Sequence, residues 1–365
     1  MKLRLGDTVI PPLRRLRLYV CGVTPYDTTH IGHASTFVWI DTLARTLEHV
    51  GIAVEVARNV TDVDDSLLAE ARRRGVGWRA LATQQTYQFE DDMRKLRVGR
   101  PSFEPQSREY VTEVIFLARA LMDRGVAYER EGSVYFRGVD VATRAGIDED
   151  EAIRLVGERG GHPDDPNKDH PLDSAVWQRS AEGEPSWSSP WSDGRPGWHA
   201  ECVAMSTAVL GLALDVHAGG EDLKFPHHAY EAAMAEAATG VTPFARAWMH
   251  VGTVRLDGHK VAKSTGNLVF VLDLLQRWPG EAIRLHLLDR PWNEGWDFVE
   301  ADLEASAARL EELWAAGGDP ATNEAAEQEV CRLLVDGLQT SAALDLAIAE
   351  GGSAARLARQ LLGLI

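Results

Sequence analysis

Two short segments carry residues whose types and spacing suit phosphate chemistry. In "CGVTPYDTTHIGHAST", Cys21 to Thr36, the residues His30, Gly32 and His33 fall where a predicted strand gives way to a predicted helix. Free backbone N–H groups and the helix dipole favour an anion there, and glycine allows a phosphate oxygen to approach closely. Far downstream, "KVAKS", Lys260 to Ser264, sets two lysines three apart in a loop ahead of "TGN". Singly these are a polar helix start and a solvated basic loop; what sets them apart is their order on an alternating α/β frame. A third group, Cys21, Cys202, His227 and Glu231, consists of residue types that ligate zinc, and His227 and Glu231 lie four apart in a predicted helix, hence on one face. Spacing alone leaves open whether Cys202 is helix core and Glu231 a surface acid.

These residues need elements to position them. "LRLYV" reads as a strand, and apolar residues at Phe37, Ile40, Ala44 and Leu47 predict a helix stopped by Gly51. "IAVEVARNV" alternates as a second strand, completing a βαβ unit. Two long helical patterns follow, "WRALATQQTYQFEDDMRKL" and "REYVTEVIFLARALMDRG", then a hairpin-like "VAYEREGSVYFRG". From Gly157 to Arg195 the density of Gly, Pro, Asp and Ser predicts an irregular insertion with exposed loops. "LALDVHAGG" reads as a buried strand leading to a helix, "FPHHAYEAAMAEAATG", and "WMHVGTVRL" as a further strand before the lysine loop. Beyond Pro291 the pattern is almost wholly helical, and there are no repeats.

Composition bounds the function. At 365 residues and 45% hydrophobic, the chain is long enough for two or more packed units. No apolar run approaches the roughly 18 residues of a membrane helix, and the start lacks a signal-peptide core, so a cytoplasmic location is expected. Three cysteines, Cys21, Cys202 and Cys331, do not make a disulfide framework and read as reduced, either core or ligands. The net charge of -17 disfavours a broad polyanion-binding surface, and with it tRNA.

At these motifs the chain resembles class I aminoacyl-tRNA synthetase catalytic domains, whose signatures are HIGH and KMSKS. "HIGH" at His30 to His33 matches in full; "KVAKS" keeps both lysines and the last serine. Within the class it is similar to cysteinyl-tRNA synthetases and, more closely, to the actinobacterial mycothiol cysteine ligases, which join cysteine to glucosaminyl-inositol. The phrases "YVCGVTPYD", "NVTDVDD", "ERGGHPDDP", "GEPSWSSP", "RPGWHAEC", "DLKFPHH", "LDGHKVAKSTGNLVFV" and "AIRLHLL" carry that likeness from about residue 18 to about residue 300. His162 in "ERGGHP" departs from the family's aspartate. Glu231 is a hybrid feature, since the synthetases use a glutamate there as a zinc ligand and the mycothiol ligases generally do not.

The resemblance implies an α/β architecture: a Rossmann-like catalytic domain (1–98 and 191–255) split by an inserted connective domain (99–190), then the KVAKS region (256–290) and a C-terminal helical domain (291–365). It implies ATP, magnesium and zinc, with a cysteine carboxylate attacking the α-phosphate to form an adenylate. His30, His33, Lys260 and Lys263 would then stabilise charge in the transition state. Cys21, Cys202 and His227 match zinc ligands, the substrate thiolate completing the shell; serine and alanine offer no such sulfur. Gly22, Thr24, Gly32, Thr36, Asn59 and Thr61 match the aminoacyl-adenylate site, and Trp198 the aromatic beside the substrate side chain. Gly220 to Asp222, Val254 and Ser264 match the nucleotide side. His228 and Cys331 are assigned to structure. The expected product is an amide of cysteine with a small primary amine, glucosaminyl-inositol being the best named acceptor and a natural-product amine the next. Only about a hundred residues follow the KVAKS loop, where a cysteinyl-tRNA synthetase would add an anticodon-binding region. Use of tRNA is therefore not expected, a truncated cysteinyl-tRNA synthetase being the other reading, and a monomer is expected.

Overall fold

The computed structural model describes residues 2–11, 14–27, 29–261 and 267–365. A small hairpin, β1 (Leu3–Leu5) and β2 (Thr8–Ile10), precedes β3 (Arg15–Val23), α1 (Ile31–His49) and β4 (Ala53–Val60). Then come α2 (Asp65–Arg74), α3 (Trp78–Lys95) and α4 (Val111–Asp123). An antiparallel unit follows, with β5 (Ala127–Arg130), β6 (Ser133–Phe136), α5 (Val141–Ala145), α6 (Glu149–Glu158), β7 (Ser174–Arg179) and β8 (Gly194–Pro196). The chain returns through α7 (Trp198–Leu210), β9 (Leu214–Gly220), α8 (Ala229–Thr239) and β10 (Ala245–Val251). A short sheet of β11 (Val254–Leu256), β12 (His259–Lys260) and β13 (Trp296–Asp297) brackets α9 (Val271–Leu275) and α10 (Gly280–Leu288). Four helices end the chain: α11 (Asp302–Gly317), α12 (Glu324–Val335), α13 (Thr340–Glu350) and α14 (Gly352–Leu361).

The central sheet is parallel with order β10-β9-β3-β4. From β3 the chain steps to β4 on one side, and β9 and β10 build on the other, so the crevice between β3 and β9 is the topological switch point, where open α/β sheets bind ligands. Side-chain alternation along each strand sorts residues onto two faces. Leu16, Leu18 and Val20 of β3, with Val216 and Ala218 of β9, join the core beneath α1 and the C-terminal helices. Tyr19 and Cys21 of β3 and Ala57 of β4 face the other core, under α7 and α8. By the same alternation Asn59 and His217 share that face with Cys21, and this brings the polar residues described below together.

The C-terminal helices are tied to the sheet layer by Arg284 of α10, which is fully buried and donates to Asp41 and Thr42 of α1 and to the carbonyls of Leu96 and Leu362. Breaking a buried pair of this kind typically costs about 3–5 kcal/mol. Asp64 caps α2 by accepting from the backbone N–H groups of Ser66 and Leu67, and Gly75 ends that helix at φ +65°. No helix among the described residues is long and apolar enough to cross a membrane.

Three sequence expectations need correction. The segment 157–195 is not wholly irregular, because β7 lies inside it and pairs with β6 and β8. Its apolar run is only "AVW", too short to show periodicity, yet Val176 and Trp177 are fully buried. "WMHVGTVRL" is two strands in two sheets, broken at Gly252, where a Cβ would lie 2.0 Å from the Glu294 carbonyl oxygen. Regular helix in "FPHHAYEAAMAEAATG" begins only at Ala229, after a wider turn over Lys224–His228.

Candidate active site

A cleft of about 560 Å³ opens at the C-terminal ends of β3 and β9. It gathers Cys21, Gly22, Thr24, His30, Gly32, His33, Thr36, Asn59, Thr61, Trp198, Cys202, Gly220, Asp222, His227, Val254 and Lys260. Glu231 lies behind its wall, against Cys21 and His227. Lys263 and Ser264 lie outside the described residues. Gly22 is required by close approach: a Cβ there would stand 1.8 Å from the Asn59 carbonyl oxygen. Its N–H instead donates to Asn59 Oδ1 at 2.9 Å, which orients the amide toward Cys202.

One end of the cleft suits phosphate. His30 is the extended N-cap residue of α1, so His33 falls in the first turn, and the two rings stack with centroids 3.7 Å apart. Burial, with the neighbouring His33 and Lys260 charges, lowers His30 to about 2. Burial likewise lowers His33 to about 4, outweighing the opposing pull of Asp222. Both rings are therefore neutral near pH 7 and act as hydrogen-bond donors rather than charges. His30 Nδ1 is buried and has no hydrogen-bond partner among the described residues. Positive charge comes from Lys260, whose Nζ lies 2.6 Å from Asp222 Oδ2, and from Arg159, whose Nη1 reaches the same oxygen at 3.1 Å. Burial alone would raise the Asp222 carboxyl, but these cations hold it below its ordinary value.

The other end is dry and rich in soft donors. One ligand atom from each of Cys21, Cys202, His227 and Glu231 falls within 4.8 Å of all the others, a spacing compatible with one shared metal ion. Glu231 is wholly buried, which removes the surface-acid reading, and Cys202 on α7 turns toward Cys21 rather than serving as plain helix core. Glu231 Oε1 receives His227 Nε2 at 2.9 Å and Cys21 Sγ at 3.3 Å, while Oε2 pairs with His217 Nε2 at 2.8 Å. His227 Nδ1 lies 2.7 Å from His199 Nδ1, and Trp198 stacks on the His227 ring at 4.1 Å. Partners of this kind fix ring orientation in metal sites. The thiols differ: burial and the Cys202 contact push Cys21 well above its ordinary value, whereas Cys202, which burial alone would raise, is drawn down to about 6 by its contacts with Cys21 and His227. Burial opposes protonation of His227, yet Glu231 and Cys202 raise it to about 10. The donor set fits zinc: two sulfurs, an imidazole and a carboxylate, with Cys21, Cys202 and His227 open to the cleft.

A second set, Cys21, His217, His228 and Glu231, also falls within 4.8 Å. It draws in His228, assigned above to structure, but neither His217 nor His228 lines the cleft. Cys331 is buried among the C-terminal helices, away from both sets. Sequence reasoning passed over His217, His199 and Arg159. The available signal for His217 was a histidine inside the otherwise apolar strand "LALDVHAGG".

Comparison with known proteins identifies the family. The family described as tRNA synthetases class I (C) catalytic domain matches residues 10–308. Similar curated proteins include the L-cysteine:1D-myo-inositol 2-amino-2-deoxy-alpha-D-glucopyranoside ligases of Streptosporangium roseum (41% identical, 96% of this chain and 91% of the relative) and Streptomyces coelicolor (43%, 93% and 85%). The Acidothermus cellulolyticus protein of the same name is 45% identical over 82% of this chain and 75% of its own length. Among solved structures, Mycobacterium tuberculosis methionyl-tRNA synthetase in complex with methionyl-adenylate superposes with a TM-score of 0.65 at 15% identity, covering 96% of this chain and 82% of that one. The ternary complex of Agrobacterium radiobacter K84 agnB2 LeuRS gives 0.63 at 12%, covering 97% and 83%. These two likenesses speak for the fold alone. With a synthetase-type parallel sheet, the paired histidines at its switch point and a family match over most of its length, the chain belongs to the class I (C) tRNA synthetase catalytic-domain family.

Proposed function

We propose that this ATP-dependent amino acid ligase activates L-cysteine as cysteinyl-adenylate and transfers it to a small primary amine, forming an amide. The observation that carries the reading is the buried Cys21, Cys202, His227 and Glu231 cluster opening onto the same cleft as His30 and His33. The names of the relatives supply the best acceptor, the amino sugar of an aminoglucosyl-inositol. Zinc bound by Cys21, Cys202 and His227, with Glu231 in or beside the shell, would contribute a thiophilic Lewis acid that favours a sulfur-bearing substrate.

The chain's own residues do the rest. Trp198 packs beside the thiol end and limits its size. Thr24 and Thr61, whose hydroxyl oxygens lie 2.7 Å apart, and Asn59 line the path from thiol end to phosphate end. The cysteine carboxylate attacks the α-phosphorus of magnesium-ATP and the bond to pyrophosphate breaks. His30 and His33 donate to phosphate oxygens as neutral rings, while Lys260, and Lys263 by family likeness, offset charge on the leaving pyrophosphate. The acceptor must lose a proton as its nitrogen attacks the acyl carbon and AMP departs.

Glu231 favours a second reading, an ester-forming cysteinyl-tRNA synthetase, because that branch keeps a glutamate at this position. Pyrophosphate exchange with each amino acid, followed by mass spectrometry after incubation with glucosaminyl-inositol and separately with tRNA, tests both. Cysteine-specific exchange and the amide are expected. Exchange that runs equally well with serine overturns the cysteine assignment, and an ester on tRNA without amide overturns the acceptor class.

A further inference from the structure

Arg159 has no part in the reaction as described so far, yet its guanidinium lines the cleft. It comes from the antiparallel unit, as the C-cap residue of α6, where its N–H bonds the carbonyls of Leu155 and Val156 at 3.2 Å. The chain then turns at Gly160, with φ +78°, and Gly161 N–H returns to the Val156 carbonyl at 2.9 Å. A fixed turn thus carries a long side chain that is about one-third exposed and able to reorient.

Asp222 Oδ2 shows where that side chain reaches. Arg159 Nη1, from the end of α6, and Lys260 Nζ, from β12, meet on this single oxygen at 3.1 and 2.6 Å. Any anionic oxygen nearby can therefore be held by both cations. Among the described residues Arg159 and Lys260 are the two permanent cations lining the cleft, since His30 and His33 are held neutral there. A planar guanidinium is also well matched to phosphate oxygens, which it can hold with two parallel N–H donors.

We propose that Arg159 is a phosphate-binding residue for ATP and for the pyrophosphate it releases, supplied by the antiparallel unit to complete the site begun by the parallel sheet. It rests on the reading above only in taking ATP as the nucleotide. Binding of magnesium-ATP, pyrophosphate and adenosine to the wild type and Arg159→Ala, measured by calorimetry, tests it. ATP and pyrophosphate should weaken at least tenfold while adenosine stays within about twofold. Arg159→Met, which keeps much of the apolar stem without the charge, should behave alike and serves if the alanine variant does not fold. Unchanged ATP binding overturns the proposal. So does a parallel loss of adenosine and ATP, which would mean that Arg159 only holds Asp222 in place. Failure of the cysteine reading registers separately, as wild type that binds ATP but exchanges no pyrophosphate with cysteine.

Discussion

The two ends of the cleft solve opposite electrostatic problems. At the thiol end Cys21, Cys202, His227 and Glu231 are 5%, 1%, 1% and 0% exposed, and every charge is answered by another within the cluster. At the phosphate end the Lys260, Arg159 and Asp222 side chains are 38%, 32% and 30% exposed, and the histidines are held uncharged. Buried charge is costly unless paired, so the dry end is built by packing and leaves little room for rearrangement. Charges about one-third exposed interact less strongly than buried ones and can exchange partners, which suits a highly charged substrate that must enter and a product that must leave. Under the proposed function, the dry end selects the amino acid and the wet end manages charge.

The largest effect should come from Cys202→Ala, which removes one of the four convergent donors. Zinc content should fall from about one per chain to near zero, and cysteine-dependent pyrophosphate exchange should drop by more than about a hundredfold, beyond the 10–100-fold typical of losing a mere supporting partner. Metal analysis and exchange on the same preparation check this; a metal-free, fully active wild type sinks it.

Next in size is His33→Ala, expected to lower exchange by about a hundredfold, as for loss of one preorganised donor to transition-state charge. Its metal content should match the wild type. If zinc is lost as well, the two ends are not independent and the comparison fails.

The smallest effect is on pH dependence. Burial sets the folded values of His30 and His33 below the unfolded 6.5, so the unfolded chain binds more protons in acid. Their contribution to stability is complete above about pH 6.5 and is lost as pH falls toward about 4, the folded value of His33. Denaturant unfolding at pH 7 and pH 5 should show a larger acid loss for the wild type than for His33→Gln. Equal losses would show that the ring is not held neutral by burial.

Part of this site can be read along the chain. The strand-to-helix passage around His30 is local: backbone alternation before it and 3.6-residue spacing after it place the motif on α1's first turn. The lysine segment read as a loop is different: Lys260 lies in β12, paired with β11 beyond the break at Gly252, where another segment's backbone comes close, and residues 262–266 lie outside the described residues. Strand β7 escaped notice because its burial depends on β6 and β8 rather than on any period of its own.

What the sequence by itself determined is therefore the α/β alternation and, within a regular element, which residues share a face, as Phe37, Ile40, Ala44 and Leu47 do on α1. Only the tertiary structure decided what covers those faces. Cys21 meets Glu231 across 210 positions, and Cys202 meets Asn59 across 143, because α7 and α8 pack over one side of the sheet. It also turned Glu231 from a helix-surface acid into a fully buried carboxylate held by two histidines, and brought Arg159 to Asp222 from another layer of the fold. Periodicity is set by bonded neighbours a few residues apart, whereas burial, and with it the charge state of a thiol or carboxyl, is set by whichever distant element excludes water from it.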